Sequence, residues 1–139
     1  MNRNSEMHDY AVQQMNQLLT RLAFQVHRAA RTPGPDEIHD LRVSIRRFSQ
    51  GLLLFSDFFP QWEKKKVAKM LKRMMRLTSE IRNRDIALEF LLKRKNVSHR
   101  QRLSLERAEF EHQFAEMVRQ WSGRDFSAKW RNALSLRGL

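Results

Sequence analysis

Cysteine is absent from the 139 residues, which excludes disulfides and thiolate metal sites and makes a reducing, cytoplasmic compartment the expectation. Glycine and proline are scarce, at four and three, and β-branched residues are few beside Leu, Met, Arg, Lys, Gln and Glu. Straight-chain residues lose little rotamer freedom in a helix, so this balance favours helix over strand. No run of about 18 apolar residues occurs, which excludes a spanning helix and leaves no membrane insertion to expect. The opening residues Met1 to Glu6 lack the apolar stretch of a signal peptide. Low-complexity segments and internal repeats are missing too.

What is present is basic charge. Lys and Arg total 27 against 15 acids, a formal net charge of +12. Such an excess concentrates anions and points to nucleic acid, an anionic membrane surface or polyphosphate as partner. With 41% hydrophobic residues, the length suits one domain with an ordinary core, spanning 1–139.

Hydrophobic periodicity predicts an all-α, antiparallel bundle of about five or six helices. The first covers Met7 to Arg31, with Val12, Met15, Leu19, Leu22 and Val26 in its seam. Thr32-Pro33-Gly34-Pro35 stops it, and Asp36 is the expected cap of a second helix running from Glu37 to about Phe58. There Ile38, Leu41, Ile45, Phe48, Leu52 and Phe55 recur at steps of three and four. A third helix is expected from Pro60 to about Ser79. A short one, apolar all round and therefore buried, is expected from Asn83 to Lys95. Ser98 is the expected cap of a helix ending near Trp121, and a last short helix holds Phe126, Trp130, Ala133 and Leu134.

The placement of charge carries more than its total. At about 100° per residue, His39, Arg42 and Arg46 fall within about 60° of one another, beside the apolar seam of the second helix, with Arg47 about 80° further round. On the third helix Lys65, Lys69, Lys72, Arg73 and Arg76 share roughly 100° of the face opposite Val67. No acid lies between Glu63 and Glu80, so all of these cations but Arg76 lack an acid at i+4, and they repel one another. A basic helix face is ordinarily solvated surface; charges beside a packing seam, with an unpaired ridge on the next helix, read instead as an anion site. A nucleic-acid- or ribosome-associated module is the alternative. Nearly all Phe and Trp fall on seams, however, which leaves few aromatics for base stacking. An acidic protein partner is a third reading, which an exposed apolar patch would favour.

Catalytic motifs are missing. His39-Asp40 is similar to a dipeptide of metal phosphohydrolases, but His8, His27, His99 and His112 offer no helical spacing that would complete a metal site. No phosphate-binding glycine loop or nucleophile motif occurs. The expectation is a binding protein without catalytic residues, metal or cofactor.

The stretch Ile38-His39-Asp40-Leu41-Arg42-Val43-Ser44-Ile45-Arg46-Arg47-Phe48 closely resembles the H-x-x-R-V-x-x-R-R signature of the CHAD family, the conserved histidine α-helical domain. Leu71-Lys72-Arg73 followed by Arg84-Asp85-Ile86 resembles a second family segment, a basic helix leading into an R-D pair. Ile81 and Ala87 stand where the family usually has Gly and a second acid. The resemblance covers about 7–95 and the first of the two related halves of a complete family domain. It implies a helical bundle that holds inorganic polyphosphate along basic residues: His39, Arg42, Arg46 and Arg47 by motif position, and Arg84 from the R-D pair. Lys65, Lys69, Lys72, Arg73 and Arg76 join them through the ridge and the family's basic character. Asp85 is expected to cap a helix or orient a nearby Arg. A half-length member is expected to form a homodimer.

Overall fold

The computed structural model describes residues 3–94, 96–122 and 125–136. They form α1 (Arg3–Arg31), α2 (Pro35–Leu54), α3 (Gln61–Leu92), α4 (Val97–Ser122) and α5 (Phe126–Ala133), with one 3-10 turn at Ser56–Phe58 and no strand among them. Each of the first three helices packs on the next in sequence, and α4 and α5 both return to α1. The seams read from periodicity form the core: Val12, Met15, Leu19, Leu22 and Val26 of α1 meet Ile38, Leu41, Ile45, Phe48 and Leu52 of α2. Fully burying a side chain of this size stabilises by about 1.5–3 kcal/mol. The seam therefore fixes which face of α2 looks inward, and with it the outward placement of the basic residues.

Several helix ends differ from expectation. Gly34 is the N-cap of α2, with Pro35 opening the helix and no side-chain cap. Asp36 sits in the first turn instead, where a carboxylate still suits the helix dipole. At α4 the cap is Asn96 rather than Ser98, its Oδ1 accepting from the His99 N–H at 3.2 Å. Asp125 caps α5, accepting from the Ser127 N–H at 3.2 Å and the Ser127 hydroxyl at 2.7 Å. The far end of α5 closes on Ser135, whose φ of 56° is left-handed. There Leu136 N–H donates to Arg131 O and Ser135 N–H to Asn132 O, the paired bonds that satisfy a helix's last carbonyls.

The largest departure is α3, a single helix where two were expected. Nothing between Ser79 and Asn83 breaks a helix. Thr78 and Ser79 donate their hydroxyls to Met74 O and Met75 O, which removes their competition with the helical backbone. Ile81, the usual glycine position of the family segment, is fully buried inside α3. The segment expected to be buried is not: Ile86, Phe90 and Leu92 are more than half exposed. Arg42 bonds to residues 75, 78 and 79, so in an antiparallel pair Pro35 lies level with about residue 86. Beyond that level α3 projects past α2 and keeps only α4 alongside.

Candidate anion-binding groove

Arg42 leaves α2 beside the seam and crosses to α3. Its Nη1 donates to Met75 O at 2.9 Å, Thr78 Oγ1 at 3.2 Å and Ser79 Oγ at 2.7 Å. The side chain is half-buried, and burial together with the neighbouring Arg46 and Arg82 pushes its pKa below the ordinary arginine value. No carboxylate pairs with Arg42, Arg46 or Arg82 among the described residues. A partly desolvated cation facing two like charges is unfavourable unless an anion joins it.

From this arginine cluster a groove of about 570 Å³ runs between α2 and α3 toward the 3-10 turn. Arg46 stands on its α2 wall, and Lys64, Lys65 and Lys72 stand on its α3 wall. Lys64 is tethered at the far end, where its Nζ donates to the Ser56 hydroxyl and to Gln61 Oε1. Its floor is apolar, made by Ile45, Leu52, Leu53, Ala68, Leu71 and Met75.

The expected site residues divide around this groove. Arg46, Lys65 and Lys72 line it, and Arg42 adjoins its head through its bond to Met75 O. His39 is exposed one turn before Arg42, on the same side of α2 by the helical angle. Lys69, Arg73 and Arg76 are exposed on α3 without an ion pair. Lys69 and Arg76 crown the ridge above the groove, whereas Arg73 is turned roughly 40–60° further, away from α2. Arg47 lies on the other side of α2, lining a hollow against α1 with Arg21, Phe24 and Asp40.

Arg84 is drawn away too: it pairs with Glu80 and Glu106 across the α3–α4 seam and stacks over Phe110 at 4.7 Å. Its neighbour Asp85 orients an arginine. Arg107 Nε donates to Asp85 Oδ1 at 2.5 Å, while its Nη2 reaches Pro33 O at 2.6 Å and its Nη1 Glu111 at 2.7 Å. That guanidinium ties α3, α4 and the α1–α2 turn together.

Arg82 and Lys64 are the residues that sequence reasoning missed. Arg82 fell in the gap between two expected helices; carried through unbroken, the α3 wheel puts it within about 20° of Met75, facing Arg42. Lys64 precedes the chosen ridge, at the same angle as Arg82. Two exposed aromatics were missed as well: Trp62 is 68% exposed with Lys66 Nζ at 5.8 Å from its ring, and Phe24 is equally free of a seam.

The acids are unevenly shared. Arg28 is held by Asp40 at 2.8 Å, which with Glu37 raises its pKa. Arg84 and Arg107 are held by α3 and α4 carboxylates. Carboxylates thus pair Arg28 at the α1–α2 seam and Arg84 and Arg107 at the α3–α4 seam, and none pairs the α2–α3 arginines among the described residues. No group of three or more His, Asp or Glu that could hold a metal occurs among the described residues, and no helix there is long and apolar enough to cross a membrane.

A family model described as CHAD domain matches residues 13–137, which carries the likeness past the motif-bearing segment through α4 and α5. No curated protein and no solved structure matches the chain.

Proposed function

Because the chain belongs to the CHAD-domain family, we propose that it captures inorganic polyphosphate, without chemistry, at the head of the α2–α3 groove. The observation that carries this is Arg42, half-buried beside Arg46 and Arg82, with no carboxylate pairing any of the three among the described residues. Planar guanidinium forks suit phosphate oxygens, and Lys65 and Lys72 extend the cationic track along the chain of the ligand as adjustable point charges. Lys69 and Arg76 add long-range attraction from the crest. His39 supplies a further N–H. Arg47, Arg73 and Arg84 contribute to the field rather than to contacts.

Binding is expected to weaken steeply with salt, as counterions condensed on a dense polyanion are released on capture. The deciding experiment is competition at fixed salt among long-chain polyphosphate, single-stranded RNA and duplex DNA, repeated with Arg42→Ala/Arg46→Ala. A preference for polyphosphate that the double variant abolishes supports the assignment; undiminished affinity in that variant refutes it.

A nucleic-acid reading has one observation in its favour. Trp62, exposed beside Lys66 at the far end of α3, offers a face on which a base can stack. RNA outcompeting polyphosphate, with loss of that advantage in Trp62→Ala, would select this reading. The resemblance to one half of a two-halved domain extends the polyphosphate proposal to a homodimer. Light scattering tests that by a mass about twice the 16.7 kDa of the chain.

A further inference from the structure

Phosphate has no use for the apolar floor of the α2–α3 groove. Below the arginine cluster the floor consists of Ile45, Leu52, Leu53, Ala68, Leu71 and Met75, and Leu53 is 79% exposed there. A polyanion stays hydrated along its length and gains nothing from covering such a surface. The rim, in contrast, is cationic on both sides, with Arg46 on α2 and Lys64, Lys65 and Lys72 on α3. We propose that this part of the groove docks an acidic amphipathic helix of a partner protein, its apolar stripe on the floor and its carboxylates against the rim.

Four features select that occupant. From Lys64 to Met75 the α3 wall runs about 16 Å, three turns of a helix, and the space between two packed helices is the shape into which a third fits. Its apolar stripe is narrow and flanked by cations, which matches a helix with leucines at i, i+3 and i+7 and acids beside them. Met75, unbranched and polarisable, lets the floor adapt to the side chains it meets. The complementarity is one of charge as well: the rim cations have no carboxylate partner within the described residues, so an acidic helix supplies the missing acids.

This docking goes beyond polyphosphate capture but shares Arg46, Lys65 and Lys72 with it, so the two ligands exclude one another. The consequence is a switch in which polyphosphate releases the bound helix.

The test uses the full chain and a fluorescein-labelled synthetic peptide of about 14 residues, leucines at i, i+3, i+7 and i+10 and glutamates on the flanks. A peptide of identical composition with the leucines spread around the wheel is the control. Fluorescence anisotropy is expected to show the patterned peptide binding about tenfold tighter than the control. Leu53→Ser and Ala68→Gln, both at exposed floor positions, are expected to weaken it about fivefold while leaving polyphosphate affinity unchanged. Unlabelled polyphosphate is expected to displace the peptide from the wild-type chain.

Equal binding of the two peptides, or peptide affinity indifferent to both floor variants, overturns the proposal. So does a concentration-dependent dimer of the chain that Leu53→Ser dissociates, because a second copy is then the occupant. Direct titration with polyphosphate is read separately, and its failure leaves the peptide result standing.

Discussion

Replacing Arg42 with Met separates a binding role from a purely structural one. The methionine keeps most of the stem that packs between α2 and α3 and removes the charge. Nη1 has two hydrogens to share among Met75 O, Thr78 Oγ1 and Ser79 Oγ, so about two charge-assisted bonds are lost, each worth about 1.5–3 kcal/mol. Against this stands the relief of a desolvated cation repelled by Arg46 and Arg82, of similar size for a half-buried group. The acceptors are not orphaned, because Thr78 and Ser79 still bond to Met74 O and Met75 O. The net change in stability is therefore expected to stay within about 2 kcal/mol in a urea titration. Polyphosphate affinity is expected to fall roughly tenfold to a hundredfold, the loss of one charge-assisted contact. The slope of log affinity against log salt is expected to drop by about one. Unchanged affinity would refute the site. So would a stability loss above about 3 kcal/mol with binding falling only in proportion to unfolding, the behaviour of a strut.

The same binding assay distinguishes neighbours on α3. Arg82→Gln is expected to weaken polyphosphate binding about tenfold, and Arg84→Gln to leave it within about twofold, since Glu80 and Glu106 already occupy Arg84. Arg107→Ala strands Asp85, whose side chain is only 7% exposed, and frees Pro33 O. A loss of about 3–5 kcal/mol in chemical denaturation is expected, with Asp85→Asn costing less because no buried charge remains on that side. Ser135→Gly, at a φ of 56°, is expected to stabilise by about 1 kcal/mol in thermal unfolding. The Asp125 carboxyl is held below its ordinary pKa chiefly by its hydrogen bond to Ser127. Its contribution to α5 is complete above the unfolded value near pH 4 and is lost as pH falls through the lowered folded one. Trp130 fluorescence should therefore report loosening of α5 only in acid, and Asp125→Asn should show that state at neutral pH.

The fold was largely legible because most seams bury what their periodicity says they bury. Leu41, Ile45 and Phe48 repeat without interruption and all lie in the core. Reading the chain failed where tertiary contacts overrode local rules. Thr78, Ser79 and Glu80 resemble a stopping point, yet two of them are the α3 hydroxyls that Arg42 grips, and no pattern within α3 contains Arg42. The same misplaced boundary hid Arg82. The apolar end of α3 was misjudged for another reason: periodicity records which side chains are apolar but not whether a neighbouring helix is long enough to reach them. For the site, the motif placed Arg42 and Arg46 together, and the helical angle already separated Arg47 from them. For Arg84 the sequence offered Glu80 at i−4, but its second partner, Glu106, lies on a different helix.

The order of the helices has a kinetic consequence. Both walls of the groove come from α2 and α3, adjacent in sequence and joined by a short turn, so they assemble from local contacts that form quickly. Docking of α5 is the opposite case. Asn16 Nδ2 reaches Leu136 O across 120 residues, and Arg131 reaches Asn16 and Thr20 across 115 and 111. Closing so long a loop comes after the local hairpins. A chain still emerging from the ribosome therefore presents its cationic groove once α3 has cleared the exit, before α5 exists to latch the bundle, and the first polyanion it meets is the RNA around it.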